Sequence, residues 1–132
     1  ELRSAEISQA ASAIAVHPQV RQALVAAQQE LLSQGSWVAE GRDIGTVVAP
    51  DAPLKIFLIA SEEERARRRA AESGQDPSRV LAEQRIRDRR DAGREVGALR
   101  RAADAIELDG TGLTAEEAIA RVIEYARQRG LA

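Results

Sequence analysis

Three clusters of residues have the types and spacing for phosphate or nucleotide chemistry. The first is Glu40-Gly41-Arg42-Asp43-Ile44-Gly45-Thr46, an adjacent Arg and Asp between two glycines. Arg42 carries the planar donor fork that grips phosphate oxygens in pairs. Asp43 can accept a hydrogen bond from an exocyclic amine or a sugar hydroxyl, and the glycines let backbone approach a ligand closely. The competing reading is a surface turn in which Arg42 and Asp43 pair with each other. The second cluster is Arg65-Ala66-Arg67-Arg68-Arg69. On a helix, Arg65, Arg68 and Arg69 share a face through the i, i+3 and i+4 relations. Three guanidinium groups on one face need anions, either from Glu62 and Glu72 or from a polyphosphate. Phosphoryl transfer runs on positioning and charge neutralisation, so such a cluster is chemically apt. The third runs from Arg85 to Arg94, with Arg87, Arg90, Asp91 and Arg94 on one helical face. A mixed-sign helix this polar reads first as a solvated face.

Other chemistries fall away. Cys is absent, which removes thiol and disulfide chemistry, and a single His argues against a structural zinc site. That residue, His17, precedes Pro18 at a helix start and reads as a cap or surface group. No Gly-rich loop followed by Lys occurs in the 132 residues, so a Walker-type phosphate cradle is missing. The net charge of −2 hides an asymmetry: residues 62–101 hold 12 Arg against 9 acids, and the remainder holds 7 basic residues against 12 acids. Of 19 basic residues only Lys55 is Lys. This Arg bias fits either phosphate recognition or a GC-rich genome, and composition does not separate the two. Interleaved acids and few aromatics speak against a nucleic-acid partner. No apolar run approaches the roughly 20 residues that span a bilayer, and a cytoplasmic setting is expected.

The elements that must position these clusters follow from periodicity. Ser4 to about Ala15 reads as a helix with Ile7, Ala10, Ala11 and Ile14 on one face. Pro18 opens a second helix striped by Val20, Leu24, Ala27 and Leu31, ending near Gly35. Trp37-Val38-Ala39 is a short strand candidate, with Trp37 assigned to the core. Val47-Val48 either begins a turn of helix or extends the loop. Leu54 to Ile59 is the best strand, with five apolar residues of six, as cover on both faces requires. Ser61 and Glu64 have capping-box spacing ahead of a helix that fades at Ser73-Gly74. Asp76-Pro77 restarts a helix that ends near Ala92-Gly93. Ala105 to Leu108 is a last strand, and Thr114 with Glu117 caps a closing helix striped by Ala118, Ile119, Val122, Ile123 and Ala126.

Strands alternating with helices imply parallel pairing in one α/β domain, here of about three strands over residues 1–132. In open parallel sheets ligands sit beyond the carboxyl ends of strands, which points to the loops after Ala39, Ile59 and Leu108. A three-stranded sheet would leave a bare edge able to pair with another chain. That edge, and a first residue that is Glu rather than Met, lead to the expectation of a fragment of a longer chain.

The ordered segments resemble bacterial cytidylate kinases, of the nucleoside monophosphate kinase family. The resemblance rests on Leu2-Arg3-Ser4 through Ser12, on Glu40 to Val48 with Pro50-Asp51-Ala52, on Lys55 to Leu58, and on Glu64-Arg65-Ala66 with Arg68-Arg69. It continues through Arg87-Asp88, Asp91, Arg94, Ala103-Asp104-Ala105 and Leu108-Asp109. It implies a P-loop-kinase-like parallel sheet flanked by helices, with a short Arg-rich lid over about residues 62–94. It further implies transfer of the ATP γ-phosphoryl group to CMP or dCMP with Mg²⁺. Under it, Arg3, Arg42, Asp43, Arg87 and Arg94 hold CMP, and Arg65, Arg68, Arg69 and Arg87 serve the transfer. Arg65, Arg69, Asp109 and Thr111 lie at the ATP, and no metal ligand falls in this chain. The lid is short, residues 97–101 lack the prolines expected there, and the phosphate loop and monophosphate-binding insert are missing. The expectation is therefore an enzyme when full-length and an inactive chain alone. The alternatives are a non-catalytic module pairing through its sheet edge and an Arg-rich nucleic-acid binder.

Overall fold

The computed structural model of the chain describes residues 5–15, 17–92 and 99–131. Two helices come first, α1 (Ala5–Ile14) and α2 (Pro18–Leu32). Pro18 stands in the first turn of α2, where its fixed φ suits a helix and its missing N–H costs no bond. His17 occupies the N-cap position but its side chain makes no capping bond. The helix closes at Leu32 with the Ser33 N–H on Gln29 O, and Gly35 then takes φ 113, a left-handed value open to glycine.

Residues 37–39 form no strand, so among the described residues the sheet has two strands rather than three. Trp37 is not core: it is 51% exposed, its indole N–H donates to Gln34 O, and Val38 is fully exposed. A strand exists only through its ladder, and no neighbouring strand lies alongside this segment among the described residues. The chain instead runs extended into a single π-helical turn, Ile44–Val48, that packs on α2. Four bonds knit this turn: Thr46, Val47 and Val48 N–H all reach Asp43 O, and Ala49 N–H reaches Ile44 O at 2.7 Å. π turns of this kind are frequent at functional sites.

Strand β1 (Ile56–Ile59) pairs in parallel with β2 (Ile106–Asp109), in the register Ile56↔Ile106 to Ile59↔Asp109. Between them lies a helical hairpin, α3 (Glu62–Ser73) and α4 (Pro77–Ala92). Caps set its limits. Ser61 Oγ accepts from Glu64 N–H at 3.1 Å, Gly74 closes α3 at φ 67, and Asp76 Oδ1 accepts from the N–H groups of Ser78 and Arg79. The hairpin core is Ala66, Ala70 and Val80, with Leu81 against it. Two alanines at i, i+4 let the helix backbones approach closely, so this very polar pair still has a dry seam. Gln84 is buried there and its amide donates to Glu62 O at 3.5 Å.

Helix α5 (Ala115–Gln128) starts from the complete Thr114–Glu117 capping box. Its stripe is only partly covered: Ile119 and Ile123 are exposed. Leu108 is buried in the sheet, but Leu58 on β1 is 60% exposed, so β1 is not covered on both faces among the described residues. Two strands are too few to carry a helical layer over each face.

Candidate functional site

The best-defined pairing near the first cluster involves a residue that the motif reading passed over. The Arg21 guanidinium on α2 donates to Asp43 Oδ2. Asp43 is fixed from behind, because its own carbonyl takes the bonds of the π turn. Gln29, two turns beyond Arg21, donates to Val47 O at 3.4 Å. Between α2 and the turn lies an open groove of about 480 Å³, lined by Pro18, Arg21, Val25, Ala26, Gln29 and Val47. Its wall is mostly apolar, the Arg21 guanidinium lines it, and the Asp43 carboxylate is held on that guanidinium. Asp43 thus pairs with Arg21 across 22 residues, a partner outside the turn that the turn reading did not include. A sequence signal for Arg21 existed, since it is the one basic residue of α2.

Arg42 lines a smaller cleft of about 50 Å³ with Gly41, Gly45, Lys55, Phe57 and Arg100. Gly41 is tightly enclosed: a Cβ there would lie 2.7 Å from Ile44 Cγ1. Arg3 and Arg94 lie outside the described residues, and so does the side chain of Arg87, whose backbone belongs to α4.

Arg65, Arg68 and Arg69 on α3 do three different things. Arg65 Nη2 donates to Asp88 Oδ2 at 2.9 Å, tying α3 to α4. Arg68 turns the other way: Nη2 donates to Gly110 O at 2.5 Å and Leu113 O at 3.1 Å, while Nε donates to Glu64 Oε1. Arg69 is exposed and has no ion-pair partner among the described residues. The carboxylates expected to neutralise the cluster are also reassigned. Glu62 pairs with Arg85 at 2.8 Å, and Glu64, gripped twice by Arg67 and once by Arg68, does the neutralising on α3. The bonds from Arg67 and then Arg68 hold the Glu64 carboxyl at about 2 against an ordinary 4.5.

At the carboxyl ends of the strands, Asp109 and Thr111 bond to each other and to the chain. Asp109 Oδ1 accepts from Thr111 N–H at 2.8 Å, and Thr111 Oγ1 accepts from Ser61 N–H at 2.9 Å. The Thr111 hydroxyl and N–H lower the Asp109 pKa. The loop after β2 is thus latched to the start of α3 twice, through Thr111 and through Arg68. Among the described residues no three His, Cys, Asp or Glu side chains gather as a metal site. What these loops offer a phosphate is guanidinium charge.

Parallel strands with an arginine-bearing helical hairpin between them give the chain a P-loop-kinase-like α/β layout. The family model described as cytidylate kinase matches residues 1–128. A cytidylate kinase of Cereibacter sphaeroides (strain KD131 / KCTC 12085) is 52% identical over 135 residues, covering 98% of this chain and 66% of the relative. Cytidylate kinases of Salmonella paratyphi B and Salmonella newport are 46% identical over 134 residues, covering 98% of this chain and 59% of each relative. The chain belongs to the cytidylate kinase family. It spans 59–66% of the length of these relatives.

Proposed function

We propose that the full-length protein transfers the γ-phosphoryl group of ATP to CMP or dCMP, and that this chain supplies the pyrimidine site and the lid arginines. The observation that carries this reading is the Arg21–Asp43 pair, whose guanidinium lines an apolar groove. Cytosine presents adjacent acceptors, O2 and N3, beside a donor, the N4 amino group. A guanidinium next to a carboxylate is the complement of that edge. Uracil places a carbonyl oxygen where cytosine has its amino group, and that oxygen would face the Asp43 carboxylate unpaired. The apolar wall of Val25, Ala26 and Val47 offers the ring faces a dry surface.

Phosphoryl transfer spreads negative charge over the migrating group, and fixed cations there lower the barrier. Arg42, Arg87 and Arg94 are assigned to the CMP phosphate with Arg3, following the family resemblance. On the ATP side, Arg69 is the presented cation, with Arg65 joining it when its bond to Asp88 opens. Arg68, Asp109 and Thr111 act by holding the loop expected at the adenine. No P-loop occurs in the 132 residues, so the β- and γ-phosphate cradle and Mg²⁺ with it are assigned to sequence outside them.

The test is nucleotide-dependent ADP formation by the full-length gene product with ATP and Mg²⁺. CMP and dCMP should each support turnover at least about tenfold better than UMP or AMP in kcat/KM, the size of one well-placed hydrogen bond. Equal rates with all four acceptors, or none with CMP, would contradict the reading.

A further inference from the structure

We propose that Lys55 is a positioning residue for the monophosphate side of the reaction, holding the Gly41–Val48 segment against the sheet and so setting Arg42 and Asp43. This rests on the function proposed above. Lys55 is the sole lysine among 19 basic residues. Its side chain is only 7% exposed, unusual for a cation that mostly keeps its tip in water. The ammonium donates to Pro50 O and to both carboxylate oxygens of Asp104, at 2.9 and 2.7 Å, which uses its three donors. Its backbone is fixed as well, because Ile106 N–H donates to Lys55 O at 2.9 Å as the ladder begins.

The ammonium anchors the side chain, and the stem it holds in place backs the turn. A Cβ built on Gly45 would lie 3.5 Å from Lys55 Cδ and 3.8 Å from Cγ, so the middle of the π turn rests on these methylenes. Lys55 and Arg42 line the same small cleft. One side chain therefore joins three segments: the turn that carries Asp43, the Pro50 break behind it, and the residues ahead of β2. The cation is consumed by Pro50 and Asp104, so Lys55 acts on substrate through Arg42 and Asp43.

The experiment is steady-state kinetics of the full-length gene product and its Lys55→Met, Lys55→Arg and Asp104→Asn variants. CMP is varied at saturating ATP, then ATP at saturating CMP. Lys55→Met should raise the KM for CMP about tenfold while the KM for ATP stays within about twofold, a split expected when one charge-assisted contact sets one subsite. Lys55→Arg should recover part of that loss by restoring the charge on a bulkier head. Asp104→Asn, which keeps the Pro50 bond, should move the same KM in the same direction by less. If Lys55→Met does not fold, the exposed Asp104 position carries the test. Equal movement of both KM values, or a lower melting temperature with both KM values unchanged, overturns the proposal. If the unaltered protein does not phosphorylate CMP, the function above fails and this inference with it.

Discussion

Arg21 on α2 and Asp43 ahead of the π turn, 22 positions apart, meet as an ion pair whose guanidinium also lines an apolar groove. Two local features aim the partners. Pro18 fixes where α2 begins, and thus where Arg21 emerges, while the Asp43 carbonyl gathers the N–H groups of the π turn.

If Asp43 reads the exocyclic amine of cytosine, Asp43→Asn should blur the choice between CMP and UMP. The amide can donate to the uracil carbonyl as readily as its oxygen accepts from cytosine. The preference for CMP in kcat/KM should fall by about tenfold or more, chiefly through better use of UMP. Competition kinetics with mixed acceptors reads this directly.

Arg68 and Arg69 should separate by phenotype. Arg69→Ala should lower kcat/KM for ATP by roughly 10²-fold with little change in stability, because it removes a charge aimed at phosphate. Arg68→Met should instead cost about 1 kcal/mol in unfolding free energy, the size of the bonds lost at the Gly110 and Leu113 carbonyls. Denaturant melts and ATP titrations of both variants check the pair.

Glu64 makes part of the acid stability predictable in sign. Its folded pKa of about 2 lies below the ordinary 4.5, through Arg67 first and Arg68 second. The stabilisation is therefore complete above about pH 4.5 and is lost as pH falls toward about 2. Glu64→Gln should flatten that stretch of a plot of unfolding midpoint against pH and leave the neutral region nearly parallel to the parent.

The lid hairpin should tolerate little volume. Ala66 and Ala70 are buried in the seam against Val80, and Ala66→Leu would force the helices apart at a cost of about 1–3 kcal/mol. A lowered urea midpoint with unchanged slope is the expected signature.

Features written in short-range chemistry were legible in the sequence. Ser61, Asp76 and Thr114 announce their helix starts because capping needs only residues two or three positions away. Leu54 to Ile59 reads as a strand from its apolar run, and β1 lies within it. What failed to show depends on distant partners. Trp37-Val38-Ala39 has strand composition, but a ladder needs a neighbour, and residue types do not say whether one lies alongside. Arg21 looks like an ordinary surface residue of an amphipathic helix until Asp43 is placed beside it. Arg68 shares a face with Arg65 and Arg69 by spacing, yet its fork is taken by two carbonyls more than 40 residues away.

The central claim is that the Arg21–Asp43 pair holds the cytosine of the phosphoryl acceptor. Its most direct test is the KM for CMP in the full-length gene product and its Arg21→Ala variant, at saturating ATP. The charge-assisted bonds at stake are each about 1.5–3 kcal/mol, so KM should rise by about 10- to 150-fold with the KM for ATP unchanged. An unchanged KM for CMP would contradict the account.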